Sequence, residues 1–457
     1  AALQAGMKIT EPNLKTLLFE LGFLEQSLQQ KAITELGFGI LDLAKVGFYD
    51  LVTPHLLKVD IEPGDEAKPE VPSAWWSESG EPTKAFERQL AEKGIVALPR
   101  VVVFSEKKGG GSAPKIEVED PVSNFKWLLK WGDEIHSDGV ASRIMAALGY
   151  NVDHPIYFGP NDLMLVLESG KKKKDISSTE ALLKLIEKEF SIDLKPFISQ
   201  SGTVTTEMAA NDPALAGLES RTFLRFAGAS MEPRVPTEVR LGTWVGKTPE
   251  VSNRPEVRAS MLAYLWLGVW DVKEENTLFS LALKSDGVQF TPRAAIADMG
   301  MSLGVAINRF PRDVKAGLVN DLPWDLVERK DSKIIFNARF NAWPPYFKSA
   351  RYRDLLWMAN KIAKVSEDSL TEILKKSGWP EPVRLLYFQK LADRRRQILK
   401  AFSIKDPYNE KPIDRELAFA DTSGAWITSG KLIREADLKI FPQGLLHAKG
   451  RFRRFGW

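Results

Sequence analysis

The sequence contains no cysteine, so disulfides, zinc–thiolate sites, thiolate nucleophiles and covalently attached haem are all excluded. Histidine is nearly as scarce: four residues, His55, His136, His154 and His447, with no close pair, which argues against a histidine-rich metal site. Net charge is also small. Sixty-three Lys and Arg against sixty Asp and Glu leave +3, which gives no electrostatic case for a nucleic-acid or membrane partner. No apolar run approaches the roughly 18–20 residues of a membrane span, so no transmembrane segment is expected and the chain reads as soluble. There are no internal repeats or low-complexity tracts, no G-x-S-x-G and no His–Glu pairing, which leaves a hydrolase with little support.

What is present is 457 residues of ordinary globular composition, 44% hydrophobic and 27% charged, enough for two or three domains or one bilobal enzyme. The opening residues AALQAG lack an initiator Met. That fits export to the periplasm or cell surface after removal of a signal peptide, or else a cytoplasmic protein with an artificially set start.

The stretch GVWDVKEENTLFSLALKSDGVQFTPRAAIADMGMSLG, from Gly268 to Gly304, organises the reading. Asn253 is placed to cap a helix with Pro255 and Glu256 in its first turn, and apolar residues recur at helical spacing from Val257 to Leu265 until Gly268. Asp271 then falls on a loop. NTLFSLAL from Asn276 is strand-like, Ser285-Asp286-Gly287 a turn, VQF a second short strand and AAIAD a third that ends at Asp298. Taken singly, each of these residues reads as a loop or cap residue. Together, Asp271, Asn276 and Asp298 have the order phosphoryl transfer needs: a carboxylate for the attacking hydroxyl's proton, then an amide and a carboxylate for the divalent ions on the phosphates.

Upstream, residues 1 to about 92 carry mixed helical signals and an acidic, Pro-rich connection, in which Trp75-Trp76 is expected to pack the arm onto the main body. PRVVVF and KIEVED read as strands around EKKGGGSAPK. There Gly109, Gly110, Gly111 and Ser112 form either a flexible hairpin loop or a phosphate cradle. FKWLLKW alternates strictly, with Lys126, Leu128 and Lys130 on one face. Leu128 is thus placed to lie under a base while Lys130 reaches phosphates. Ser137 or Asp133 opens the next helix, which runs through Val140, Ile144 and Leu148 to Gly149; Asp138 is the preferred acid to hold Lys130, with Glu134 the alternative. Lys171 to Lys174 read as a solvated loop, Ser177 to Phe190 as an amphipathic helix, and RTFLRFAG as a strand. The segment 232–253 is polar and aperiodic, an insertion acting as a lid, a substrate loop or plain surface. After Gly304 the chain reads as mainly helical, with Arg394-Arg395-Arg396 on a solvated or salt-bridged face and a basic-aromatic tail, HAKGRFRRFGW, at the end.

KWLLKWGDEIHSDGVASRIMAALGY together with LWLGVWDVKEENTLF and IADMGMSLG resembles the lysine strand, following helix, catalytic loop and metal-binding segment of atypical bacterial kinases, the HipA-like and CotH-like protein-kinase-like superfamily. The resemblance spans roughly residues 98–402. It implies an α+β bilobal kinase-like fold: an arm at 1–92, a β-rich lobe at 93–170, a mainly helical lobe at 171–402 and an extension at 403–457. It further implies ATP with Mg²⁺ or Mn²⁺ in the cleft, Lys130 on the phosphates with Asp138 as its helix acid, Asp271 as catalytic base, and Asn276 and Asp298 as metal ligands. The chain departs from the pattern in having Asp138 for the usual helix Glu, Val269-Trp270 for the His-Arg before the catalytic Asp, and Met299 within the metal segment. The expected activity is an ATP-dependent phosphotransferase acting on a protein or small-molecule hydroxyl. The alternative is an inactive kinase-fold scaffold.

Overall fold

Seventeen strands and ten α-helices form within the residues that the computed structural model describes, namely 55–71, 73–107, 113–132, 134–167, 176–190, 192–244, 246, 248–283, 289–309, 313–317, 319, 322–338, 340, 344–379 and 381–408. The glycine loop from Gly109 to Ser112, Asp133, Lys171 to Lys174, the turn Ser285 to Gly287 and the basic-aromatic tail lie outside them.

Along the chain, β1 (His55–Asp60) and α1 (Ala85–Glu92) precede β2 (Val101–Lys107), β3 (Lys115–Glu119) and β4 (Lys126–Lys130). Helix α2 (Glu134–Ala147) leads to β5 (Asn151–Val152), β6 (Ile156–Phe158) and β7 (Met164–Val166), then α3 (Thr179–Phe190), β8 (Ile198–Thr203) and α4 (Thr206–Asn211). Next come β9 (Thr222–Phe226), β10 (Ala229–Arg234), β11 (Glu238–Gly242), α5 (Pro249–Ser252) and α6 (Pro255–Leu267). After them the chain forms β12 (Thr277–Leu283), β13 (Phe290–Ile296), β14 (Val305–Arg309), β15 (Asp313–Ala316), β16 (Val327–Lys330) and β17 (Lys333–Ala338). It ends in α7 (Pro345–Lys348), α8 (Tyr352–Ala363), α9 (Glu367–Lys375) and α10 (Glu381–Ala401).

An eight-stranded sheet, ordered β6-β10-β4-β3-β2-β7-β9-β8, carries the lysine strand near its middle. Strict alternation puts Ile116, Val118, Trp127, Leu129 and Met231 on one face, all buried in the main core. The register Lys115↔Lys130, Glu117↔Leu128, Ser230↔Lys130 and Glu232↔Leu128 gathers the polar residues of β3, β4 and β10 on the other. The boundary expected after residue 170 cuts this sheet, since β8, β9 and β10 complete it.

The segment 232–253 is therefore not an irregular insertion: it holds the end of β10, all of β11 and α5. Its sequence hid this because Glu232 is buried, Arg234 half-buried, and Pro233 interrupts the strand pattern. Proline is tolerated there because β6 reaches only Ala229 to Met231, leaving β4 as the single neighbour.

A second sheet, β11-β12-β13-β5, contains one strand where two short ones were expected, because Phe290 and residues 294–296 belong to the single strand β13, which runs through Pro292. Again the proline lies where only one neighbour is paired, since β5 meets β13 only at Ala295 and Ile296. Asn253 does not cap α6. It closes α5, and Arg254 stands at the cap of α6 without a side-chain capping bond.

The chain after Gly304 is not helical at once. It first forms two hairpins, β14–β15 and β16–β17, too short and polar for their alternation to register, and β1 joins the second antiparallel to β17. Trp75 and Trp76 are buried, and Trp76 donates to the Leu148 carbonyl at 2.7 Å.

The three helices expected near the end are present, and the arginine run on α10 takes the salt-bridged alternative rather than the solvated one, with Arg395 paired to Asp406 and Arg396 to Glu367. Arg394 is buried and donates to the carbonyls of Leu265 and Trp266 in the last turn of α6. Arg395 does the same for Ile362 and Ala363 at the end of α8 and forms a two-pronged ion pair with Asp406 at 2.9 and 3.0 Å. Helix C-termini present unpaired carbonyls and negative potential, so a cation placed there satisfies both. Asp406→Ala removes the two-pronged ion pair from the buried Arg395 guanidinium; the expected loss of stability is about 3 kcal/mol, read from urea denaturation midpoints.

Candidate active site

Lys130 ends β4 and is 7% exposed. Its ammonium meets three carboxylates: Glu232 in closest contact, and Asp138 and Asp298 each at 3.7 Å. Burial alone would push the ammonium towards its neutral form, but the attraction of Glu232, Asp298 and Asp138 outweighs it and holds Lys130 well above the usual lysine range. Burial raises Asp138 well above the usual carboxylate range, against the pull of Lys130, and Glu232, Asp298 and Glu134 raise it further.

Glu232 is the acid the sequence reading missed. The other Glu232 oxygen accepts from Arg234 at 2.8 Å, Arg234 lies 3.5 Å from Asp153, and Asp153 pairs with Arg240. Alternating charges thus run from Lys130 into the second sheet. The two glutamate neighbours in register, Glu117 and Glu232, flank Leu128, which is buried on the same face.

Helix α2 docks on the Asp298 loop. Asp138 accepts the Met299 N–H at 3.0 Å with the oxygen it does not turn to Lys130, and Ser137 donates to the Gly300 carbonyl at 2.5 Å. Ser137 therefore lies inside the helix and latches it, while Glu134 begins it. The approach is close enough to require glycine at 300, where a Cβ would stand 2.7 Å from the Glu134 Cβ. Asp298 itself has φ +51°, the left-handed region that non-glycine residues rarely occupy outside special sites.

The Asp271 loop is fastened to the Asp298 segment. Gly268 closes α6 in the left-handed conformation (φ +59°), with the Val269 N–H bonded back to the Tyr264 carbonyl. Three backbone hydrogen bonds then fasten this loop to the Asp298 segment: Leu303 N–H to Leu267, Trp270 N–H to Met301, and Ala297 N–H to Asn276, at 2.8–2.9 Å. The Asn276 amide donates to the Asp271 carbonyl at 2.9 Å and to its carboxylate at 3.2 Å. Lys273, a second residue the sequence reading passed over, lies 2.6 Å from the same carboxylate. Its signal was visible, since it falls between Asp271 and Asn276 in the loop already singled out. Glu232 gave no local signal because only strand register brings it to Lys130.

The donor set suits a hard divalent cation. With its amide nitrogen committed to Asp271, Asn276 keeps a carbonyl oxygen that accepts no hydrogen bond from the described residues, and Asp298 is half-exposed, 3.7 Å from Lys130. Among the described residues no group of three or more His, Asp or Glu is arranged to hold a metal. An amide carbonyl and a carboxylate are the kinds of oxygen that Mg²⁺ and similar cations take as ligands.

Helix α2 is anchored at its far side by His136, whose Nδ1–H donates to the Ser377 carbonyl at 2.7 Å between the rings of Tyr157 and Trp379. Burial lowers this imidazole to about 4 from an ordinary 6.5. The unfolded chain therefore takes up the proton first as pH falls, so the contribution of His136 to stability is present above pH 6.5 and lost towards pH 4. The wild type is expected to lose roughly 2 kcal/mol through this group between pH 8 and 5. His136→Gln should flatten that part of the profile in denaturation midpoints measured at the two values.

In its fold the chain is similar to the crystal structure of a Helicobacter pylori proinflammatory kinase, CtkA, with a TM-score of 0.32 and 16% identity, covering 65% of this chain and 94% of that one. No protein-family model and no curated protein matches the sequence.

Proposed function

We propose that the protein is an ATP-dependent phosphotransferase of kinase-like, bilobal build, acting on a hydroxyl of a protein or small molecule. The observation that supports this reading is the convergence of Lys130, Asp138 and Asp298 with a loop that presents Asp271 and Asn276, fastened by three backbone hydrogen bonds. Lys130, held by its carboxylates, orients the phosphates of the nucleotide. Leu128 lies beneath the base. Asp271, positioned by Asn276 and Lys273, receives the proton of the attacking hydroxyl, and Lys273 stands beside it as a cation for the transferring phosphoryl group. Asn276 and Asp298 would hold Mg²⁺ or Mn²⁺, which when bound neutralises charge on the phosphates.

A scaffold that binds nucleotide without transferring phosphate is the second reading. It is favoured by one observation: the Asp271 oxygen that would take the proton is already engaged by both Lys273 and Asn276.

Calorimetric titration with ATP, with and without Mg²⁺, tests the reading. Asp298→Asn is expected to abolish metal-dependent binding. Asp271→Asn is expected to keep binding and to lower phosphoryl transfer by roughly 10²–10⁴-fold. Identical nucleotide behaviour in the wild type and both variants would sink the assignment, and binding without transfer in the wild type would favour the scaffold.

A further inference from the structure

We propose that Lys115 is a second phosphate-binding lysine, directed with Lys130 at the phosphate chain of the nucleotide; the proposal rests on the phosphotransferase reading above. Lys115 opens β3 directly opposite Lys130, in a register fixed by the Trp131 N–H bonded to the Pro114 carbonyl at 3.1 Å. Residues directly opposite in an antiparallel pair project to the same face, so the two ammonium groups share one side of the sheet. Like charges in that arrangement are unfavourable unless something compensates them.

Compensation is uneven. Lys130 has Glu232, Asp138 and Asp298 around it, whereas half-buried Lys115 makes no ion pair or side-chain hydrogen bond with the described residues. Burial and the neighbouring Lys130 both disfavour its charged form, with Asp298, Glu232 and Glu134 acting in the opposite sense at longer range. A lysine ammonium offers three donors, and at Lys115 none is committed to a described partner. The two lysines thus divide the work. Lys130 is fixed by carboxylates and sets the geometry, while Lys115 supplies uncommitted donors and positive charge to a polyanion lying at the half-exposed Asp298 side of the cluster.

The test compares wild type, Lys115→Met, Lys115→Arg and Lys130→Met in calorimetric titrations with ATP, ADP and adenosine in Mg²⁺, together with thermal midpoints of the free proteins. Lys115→Met is expected to weaken ATP and ADP at least about tenfold, the loss of one charge-assisted contact. Adenosine binding should stay the same, Lys115→Arg should recover part of the loss, and the free variant's midpoint should be unchanged or higher because a repulsion is removed. Unchanged ATP affinity in Lys115→Met beside a loss in Lys130→Met would overturn the proposal and leave the phosphotransferase reading standing. A lowered midpoint with equal losses for ATP and adenosine would also overturn it, by making Lys115 structural. Wild-type protein that binds no nucleotide would overturn both.

Discussion

A buried ammonium has to be surrounded by anions, and the placement of Lys130 is the constraint from which most of the central architecture follows. Taking an ammonium out of water costs several kcal/mol unless opposite charges replace the lost hydration. Each of the three carboxylates that do so comes from a different element: Glu232 from β10, Asp138 from α2 and Asp298 from the loop after β13. Satisfying one lysine therefore draws together a strand about a hundred residues later, the next helix and a loop of the second sheet. Arg234, Asp153 and Arg240 extend the same requirement outward, since a carboxylate buried to serve Lys130 needs its own partners.

A second set of buried cations organises the helical part. Arg394 and Arg395 are adjacent on α10 and point to the C-termini of two different helices, α6 and α8. One turn of helix thus joins the ends of two others. Because α6 ends in Gly268 and feeds directly into the Asp271 loop, Arg394 anchors the base of the candidate site from behind.

Much of this was legible locally. Helices α2, α3, α6, α8, α9 and α10 announced themselves by 3.6-residue spacing, and the lysine strand by alternation. The order Asp271, Asn276, Asp298 marked the loops that the structure fastens together. What stayed hidden depends on long-range register or on burial of charge. Glu232 looked like part of a polar insertion because a sequence does not say that a glutamate's solvent has been replaced by a lysine. The two prolines at 233 and 292 read as breaks, although each lies on a stretch paired on one side only. The ion pairs of the arginine run were among the alternatives read from the sequence, but its burial against helix ends was not, because helix ends enter the account only once the helices are packed. Strands β14 to β17 were missed for a different reason: four to six residues of mixed polarity give too short a sample for a period of two to be seen.

The pinning of the Asp271 loop to the Asp298 segment constrains how this chain can vary. Surface loops are where related sequences ordinarily gain and lose residues. Here Leu267, Asn276 and Met301 supply carbonyls at fixed intervals to Leu303, Ala297 and Trp270, so adding a residue between two of these anchors would put at least one of the three bonds out of register unless the other loop changed in step. The two loops therefore tolerate a change of length only together. The spacings Gly268 to Asn276 and Ala297 to Leu303 should be inherited as one unit, even where the residues between them drift.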